Sequence, residues 1–226
     1  MAEMTDVESR PLTSKGRETR QRIVDAAADL IYERGVAGVN LDDVLRATRT
    51  SKSQLYHYFG DKSDLIHAVI ECQRDRILGF HRPALESLSS WEDIQRWRDM
   101  IVETQAVRAC RYGCPLGSLA NELVELDELA RTQLSGAFAN WEQTLADGLA
   151  GMVEAGTLRS DANTAELAVS VIASLQGGLL LAEMDRNTRP LEVALDAAIA
   201  HLKSFALSRP ELASSTRHSH QPRRIT

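Results

Sequence analysis

The sequence has few cysteines, prolines and aromatic residues, and each shortage excludes a class of protein. Three cysteines in 226 residues do not form a disulfide framework, because their number is odd and the chain is long enough to bury a core without them. Six prolines and 13 glycines are too few for a collagen-like or low-complexity chain. Aromatic residues make up only 5%. In a chain rich in Ala, Leu, Glu and Arg, this favours packed helices over β-sandwiches.

Long hydrophobic runs are also absent. One of the longest uninterrupted apolar stretches covers only residues 179–182, far short of the roughly 20 residues that a membrane span needs. Residues 1–18 contain four acidic side chains and no apolar segment, which argues against a secretory signal. We therefore expect a cytoplasmic protein with reduced thiols and no membrane partner.

Charge is distributed unevenly along the chain, whose net charge is −6. Residues 10–62 hold ten Lys or Arg and seven Asp or Glu, a net charge of +3. Residues 63–208 hold twelve and twenty-one, a net charge of −9. This asymmetry predicts a small basic module joined to a larger acidic one. A nucleic-acid partner is then compatible with the basic module, although the total charge argues against one.

Three helices are predicted within the basic module. Apolar residues recur with helical spacing from Ile23 to Ile31, and Gly35 is suited to end that helix in a left-handed cap. A second helix is predicted at 41–47 with Asn40 as its N-cap, and a third begins after Ser51. Two short helices joined by a tight turn and braced by a longer one predict a helix-turn-helix DNA reader.

The first turn of the third helix carries the residues that we expect to touch base edges. Ser51 and Gln54 form a predicted capping box, which fixes the start of the helix and makes its N-terminus attractive to a phosphate. Lys52, Ser53 and Gln54 are its exposed positions, and a Gln side chain can pair with an adenine edge. Leu55 and Phe59 are assigned to the core.

Further donors flank this first turn. Tyr56, His57 and Lys62 are suited to DNA phosphates, although packing explains an isolated His or Tyr equally well. A basic cluster lies at the other end of the module, where an N-terminal arm can follow the DNA. It comprises Lys15, Arg17, Arg20 and Arg22.

Two motifs, TRQRIVDAA at 19–27 and LYHYFGDKSDL at 55–65, give this module a resemblance to the DNA-binding domain of the TetR family of transcriptional regulators. The sequence departs from the family pattern in the turn, where Arg49 stands in place of the usual Gly and Thr50 in place of Val. A non-glycine residue in left-handed conformation costs about 1 kcal/mol, which Arg49 is expected to bear.

The resemblance implies an all-α homodimer, with an N-terminal three-helix helix-turn-helix domain and a C-terminal helical domain for ligand binding and dimerisation. The contacts to DNA that it implies by position are Thr19, Lys52, Ser53, Gln54, Tyr56, His57 and Lys62. We divide the chain into a flexible arm at 1–14, a DNA-binding domain at 15–62, the C-terminal domain at 63–207 and a disordered tail at 208–226.

Helical periodicity continues through the acidic segment. The first of its helices is predicted to run from 63 until Pro83 ends it. The others are predicted at 91–110, 116–129, 131–155, 164–186 and 190–206. The pair Gly177 and Gly178 in the middle of one of them predicts a close helix approach or a kink.

The stretch from Cys110 to Cys114 and the helix after it resemble a segment of the LmrA/YxaF-like subgroup, in which this region borders the ligand cavity. A helix N-terminus can lower a thiol pKa, which would suit a sensor of oxidants or electrophiles. Buried cysteines that pack as small hydrophobes are the other interpretation. The candidates for a ligand pocket or sensor are Cys110, Cys114, Trp141 and Gln176.

The last two predicted helices carry apolar stripes that the resemblance assigns to a four-helix dimer interface. Ordinary core within one subunit explains the same spacing equally well. The interface candidates are Leu175, Leu179, Leu195, Ala198 and Leu202.

Neither an enzyme nor a cofactor is expected, because the sequence lacks a Gly-x-Ser-x-Gly elbow, a phosphate-binding glycine loop and a His-Glu-x-x-His motif. A helical thiol oxidoreductase using Cys110 and Cys114, or a helical interaction adaptor, leaves the basic module unexplained. The leading hypothesis is a ligand-responsive repressor that binds a palindromic operator as a homodimer and is released by a small molecule. Its half-sites should lie about 34 to 36 Å apart, or a multiple of that distance.

Overall fold

A computed structural model describes residues 12–207 of the chain. Within this range there are nine α-helices and no strand, apart from an isolated antiparallel bridge between Leu158 and Ala206. The all-α fold class is therefore confirmed. Residues 1–11 of the predicted arm and the predicted tail at 208–226 lie outside the described residues. The helices are α1 (Ser14–Arg34), α2 (Leu41–Thr48), α3 (Lys52–Tyr58), α4 (Lys62–Leu85), α5 (Trp91–Val107), α6 (Pro115–Leu123), α7 (Glu128–Glu154), α8 (Thr164–Asp185) and α9 (Arg189–Lys203).

The ends of the first three helices follow the predicted local chemistry. Gly35 ends α1 with φ 73°, a backbone conformation that glycine adopts without strain. The side chain of Asn40 accepts the Asp43 N–H at 2.9 Å and so caps α2. Ser51 and Gln54 form the predicted capping box at the start of α3, with each side chain bonded to the other's backbone N–H.

Helix α4 joins the basic module to the rest of the chain. It packs against both α1 and α7, and its buried side chains belong to one hydrophobic core that runs from α1 to α9. It continues to Leu85, so the prediction that Pro83 ends it is wrong by two residues. The missing N–H of a proline near the last turn removes one helical hydrogen bond, and the Glu86 N–H still closes the turn on the Arg82 carbonyl at 2.9 Å.

The loop between α6 and α7 differs from the prediction. Helix α6 ends at Leu123, not at 129, and α7 already begins at Glu128. The cause is Asp127, whose carboxylate accepts the Ala130 N–H at 2.9 Å and caps α7. An Asp followed by a helix-forming run was the available signal for this start.

Helix α8 lies between α7 and α9. By length and hydropathy alone it is apolar enough to cross a membrane, but one face of it is buried in the core of this fold. A Cβ on Gly178 would come within 3.0 Å of Leu191 Cα and 3.1 Å of Ala194 Cβ. Gly178 therefore permits the close approach of α9, which is one of the two alternatives predicted for the glycine pair, whereas a Cβ on Gly177 would meet no atom within 4 Å.

Three aromatic side chains from α4, α5 and α7 meet in the middle of the core. The Trp97 indole N–H donates to His81 Nδ1 at 3.1 Å, and the Trp141 ring lies 4.5 Å from the His81 ring, centroid to centroid. All three residues are buried. Burial lowers the pKa of His81 to about 3, so the imidazole is neutral at physiological pH.

A neutral buried His81 predicts a stability that falls in mild acid. An unfolded histidine titrates near 6.5, so below that pH the unfolded chain binds one proton more than the folded chain until the pH approaches the folded pKa of about 3. The contribution is complete above about pH 6.5, and the folding equilibrium constant then loses about tenfold for each pH unit below it.

Urea unfolding between about pH 7 and about pH 5 measures the slope of the unfolding free energy against pH. The variant His81→Gln retains an acceptor for Trp97 and should flatten the slope by one proton. His201→Gln, at an exposed histidine of α9, is the matched control and should not. An unchanged slope in His81→Gln would contradict a neutral His81.

Candidate functional site

The turn between α2 and α3 sets the angle between these helices. Arg49 is left-handed, with φ 54° and ψ 32°, as expected from its position in the turn. The Thr48 hydroxyl donates to the Val44 carbonyl at 2.8 Å and lies 2.7 Å from the Thr50 hydroxyl. Both threonines are buried. The two hydroxyls thus satisfy each other inside the turn.

Helix α3 presents one buried face and one exposed face. Leu55 and Phe59 are buried in the core, as predicted. The candidate DNA contacts of this helix are all exposed, and they are Lys52, Ser53, Gln54, Tyr56 and His57. The Gln54 carbonyl oxygen is used in the capping box, which leaves its NH₂ group free to donate to a base.

The other candidate DNA contacts have roles inside the protein. The Arg20 guanidinium lies 5.1 Å from the centre of the Phe59 ring, and the Thr19 hydroxyl donates to the Lys15 carbonyl at 2.9 Å. The Lys62 ammonium donates to the carbonyls of Val36 and Val39 at 2.8 and 2.6 Å. Two of its three N–H donors are therefore engaged within the protein, which leaves one for a phosphate.

A cavity of about 320 Å³ lies among α1, α4, α5, α7, α8 and the start of α6. Two of the predicted pocket residues, Cys114 and Trp141, line it. Gln176 instead lines an adjoining pocket on the other side of Cys114. Cys110 lines neither of these two pockets. The residues that the sequence did not identify are the polar ones from α1, α4 and α5, above all Tyr32, Gln73, His81 and Gln105.

One wall of the cavity belongs to the helix-turn-helix module. Tyr32 on α1 donates its hydroxyl to the Gly113 carbonyl at 3.0 Å and accepts a hydrogen bond from Arg108 at 3.1 Å. Burial raises the pKa of the Tyr32 phenol, so it remains a donor. The residues before α6 and the end of α5 are thereby tied to α1 at the edge of the cavity.

Helix α6 makes a second connection to the module at its other end. The Glu122 carboxylate accepts the backbone N–H of Val36 at 2.9 Å and that of Ala37 at 3.3 Å. A Cβ on Gly35 would come within 2.9 Å of Glu122 Oε1, and the φ of Gly35 is positive. The glycine therefore permits the carboxylate to approach the turn between α1 and α2.

The two candidate sensor cysteines are buried thiols. Cys114 is the N-cap of α6, and its Sγ accepts the Gly117 N–H at 3.5 Å. Burial nevertheless raises the thiol pKa of both Cys114 and Cys110. The sensor interpretation required a lowered pKa, but desolvation of the Cys114 thiolate outweighs the effect of the helix N-terminus. Of the two interpretations, the small buried hydrophobe is the one that fits.

The five interface candidates require a correction of the same kind. All of them are buried inside a single chain, where they pack α8 against α9 and the rest of the core: Leu175, Leu179, Leu195, Ala198 and Leu202. Leu175, Leu195 and Leu202 are at most 1% exposed, and Ala198 and Leu179 keep only 5% and 7%. They therefore offer little surface to a second copy. The helical spacing of these five residues therefore marks the faces of α8 and α9 that pack inside one subunit.

The outer face of α8 carries its own apolar stripe. Leu180, Leu181 and Met184 are 54%, 51% and 71% exposed. Val169, nearer the start of α8, is 49% exposed. Gly177 lies on the same face, with no atom within 4 Å of the position of a Cβ. On α9, Val193 is 50% exposed. The exposed residues of α8 named here, together with Val193, are called the outer α8 face below.

Comparisons with known proteins agree with this architecture. Residues 23–69 match the family described as bacterial regulatory proteins, tetR family, and residues 90–197 match the transcriptional regulator LmrA/YxaF-like C-terminal domain. An HTH-type transcriptional regulator from Lactococcus lactis subsp. lactis is 31% identical over 185 residues, which cover 80% of this chain and 91% of that protein.

Two further similarities extend over most of the chain. The HTH-type transcriptional repressor DhaR from Mycobacterium sp. (strain GP1) is 27% identical, and the match covers 76% of this chain and 86% of DhaR. The crystal structure of a regulatory protein TetR from Rhodobacter sphaeroides has a TM-score of 0.72 and 26% identity, and the match covers 81% of this chain and 98% of that one. The chain therefore belongs to the TetR family of bacterial DNA-binding transcriptional regulators.

Proposed function

We propose that this protein is a ligand-responsive repressor, which binds a palindromic operator as a homodimer and is released when a small molecule enters the cavity. The observation that carries the proposal is that Tyr32 of α1 both lines the cavity and bonds to Gly113 before α6. A ligand in the cavity therefore lies close to a side chain of the helix-turn-helix module. The name of the similar DhaR, a repressor, favours repression over activation.

The exposed face of α3 supports the DNA-binding part of the proposal. Its first turn offers Lys52, Ser53 and the free NH₂ group of Gln54 to base edges. Tyr56 is 45% exposed and His57 is exposed beside it, where both can donate to phosphates. Thr19, Arg20 and Lys62 are proposed to flank these contacts, with Lys62 acting mainly through the turn that it holds.

The outer α8 face supports the homodimer. An exposed apolar stripe with a glycine at its centre suits close packing against the same face of a second copy, as an isologous interface requires. Two recognition helices related by this axis would read the two halves of a palindrome. The acidic remainder of the chain would be repelled by phosphates, so that only the basic module docks. Such a regulator acts in the cytoplasm.

Ligand release needs only a small difference in free energy. Coupling between two sites is typically about 1 to 3 kcal/mol, and one hydrogen bond to a charged group contributes about 1.5 to 3 kcal/mol. The Glu122 bond to Val36 and the Arg108 bond to Tyr32 each involve a charged group, so they are of sufficient size to carry it. We propose that a ligand shifts α6 and changes these bonds, which alters the spacing of the recognition helices.

The first test measures binding of the purified protein to palindromes from the DNA beside its own gene, at several salt concentrations. Gln54→Glu retains the capping box, because a Glu at this position accepts the same N–H, but it loses the NH₂ donor and should change the preferred base. Tyr56→Phe should weaken all sequences alike by about three- to tenfold. Gln143→Glu on α7 is the control. Absence of salt-sensitive binding to any palindrome would refute the proposal.

The second prediction concerns the dimer. Leu181→Glu inserts a charge into the outer α8 face and should give a monomer in sedimentation equilibrium. Its binding to the palindrome should be about 100-fold weaker, because the two helix-turn-helix modules are no longer linked. Leu126→Glu changes an apolar residue that is 82% exposed in the loop between α6 and α7, and it should remain dimeric. A dimeric Leu181→Glu would exclude this face as the interface.

The third prediction concerns Glu122. Glu122→Ala leaves the N–H groups of Val36 and Ala37 without their charged acceptor, so their hydrogen exchange should accelerate by about tenfold or more. The affinity of Glu122→Ala for the operator should also fall. Glu125→Ala, at an exposed acid two residues beyond α6, controls for the loss of charge. Equal exchange rates in the two variants would show that α6 does not hold the turn.

A further inference from the structure

Buried polar side chains are concentrated around the cavity. In the described part of the chain five polar residues are buried, namely Thr48, Thr50, Gln73, His81 and Gln105. The last three all line the cavity. A buried polar group without a partner destabilises the fold, and such groups usually have one. Three of them around one empty volume therefore indicate what the volume is built to hold.

His81 offers a hydrogen-bond donor of fixed identity. The Trp97 N–H donates to His81 Nδ1 at 3.1 Å, so Nδ1 is an acceptor and the proton of the neutral imidazole is on Nε2. Within residues 12–207, no side chain or carbonyl accepts from Nε2. Trp97 thus acts as a positioning residue, which leaves His81 able to donate but not to accept at the cavity.

The two glutamines add neutral polar groups on neighbouring helices. Gln73 on α4 donates its NH₂ group to the Ala28 carbonyl at 3.2 Å, which leaves its side-chain oxygen. Gln105 on α5 is 7% exposed and lines the cavity. An amide can donate and accept, so Gln105 suits a hydroxyl or a second carbonyl on a ligand.

Charged groups at the cavity are neutralised or lie at its edge. Arg76 forms ion pairs with Asp29 at 2.7 Å and Asp25 at 3.0 Å. The exposed Arg108 bonds to the Tyr32 hydroxyl. The other polar groups of the wall are uncharged, and they include the Trp141 indole N–H, which has no partner among the described residues. Phe80 adds an aromatic ring, and aliphatic side chains supply much of the remaining surface. The volume of about 320 Å³ lies near the lower end of the range for small-molecule sites.

We propose that the cavity selects a small uncharged ligand with a flat apolar body, an oxygen acceptor for His81 Nε2–H and a second polar group for Gln105. The inference rests on the proposed function only in naming this cavity as the effector site. An anion beside His81 and Gln105 would lose its hydration, while Arg76 is already ion-paired and Arg108 is exposed and bonded to Tyr32. A hydrocarbon of the same shape would leave the His81 Nε2–H and the Gln105 amide without a partner on the ligand.

The test measures binding to the full-length protein without DNA, by equilibrium dialysis with three compounds of nearly equal shape. 2-Acetylnaphthalene has a carbonyl acceptor, 2-isopropenylnaphthalene replaces that oxygen by carbon, and 2-naphthoate is an anion. The ketone should bind about five- to tenfold more tightly than the alkene, and at least 100-fold more tightly than the carboxylate. Equal binding of ketone and alkene, tighter binding of the carboxylate, or no binding of any of the three would overturn the ligand class.

Variants of two glutamines on α5 test the second polar contact. 6-Acetyl-2-naphthol should bind more tightly than 2-acetylnaphthalene, and Gln105→Leu should abolish that gain. Gln95→Leu, at an exposed position of the same helix, should retain it. A gain that survives in Gln105→Leu would contradict the role of Gln105.

Operator release separates this inference from the proposed function. If 2-naphthoate binds and dissociates the DNA complex whereas the ketone does neither, the ligand class is wrong and the repressor proposal stands. If the ketone binds with the predicted order but leaves the DNA complex intact, the ligand class stands and ligand release is wrong.

Discussion

The Glu122 carboxylate holds the turn between α1 and α2 by its N–H groups, and the Lys62 ammonium holds the same turn by its carbonyls. A turn leaves backbone groups that no helix satisfies, so charged side chains from neighbouring elements supply the partners. These two side chains come from α6 and α4, which also border the cavity. The orientation of α2 and α3, and with it any use of their exposed face, depends on this one turn.

The distribution of charge differs between the surface and the interior. Residues 10–62 carry a net charge of +3 and residues 63–208 a net charge of −9, a separation suited to docking one end of the molecule on phosphates. The charged residues of the cavity wall are ion-paired or exposed, and its buried polar groups are one neutral imidazole and two amides. Buried charge without a partner is far more costly than a buried amide or imidazole.

Several predictions made from local chemistry were changed by burial. The thiol of Cys114 is at a helix N-terminus, as the sequence indicated, yet burial raises its pKa. Leu175 and Leu195 have the spacing of an interface, but they face the core, and the exposed stripe is displaced around α8 to Leu180 and Leu181. A helical period identifies a stripe without stating whether its own subunit or a second one covers it.

The sequence by itself determined the all-α class, the capped ends of α1 to α3, the left-handed Arg49 and the exposed first turn of α3. Each depends on residues within about four positions of one another, so local chemistry was sufficient. Only the tertiary structure decided that Tyr32 meets Gly113, 81 positions away, and that Glu122 meets Val36, 86 positions away. It also decided that Gln73, His81 and Gln105 surround one cavity. These contacts depend on which faces of α1, α4, α5 and α6 pack together, and neither spacing nor composition specifies the partner of a buried face.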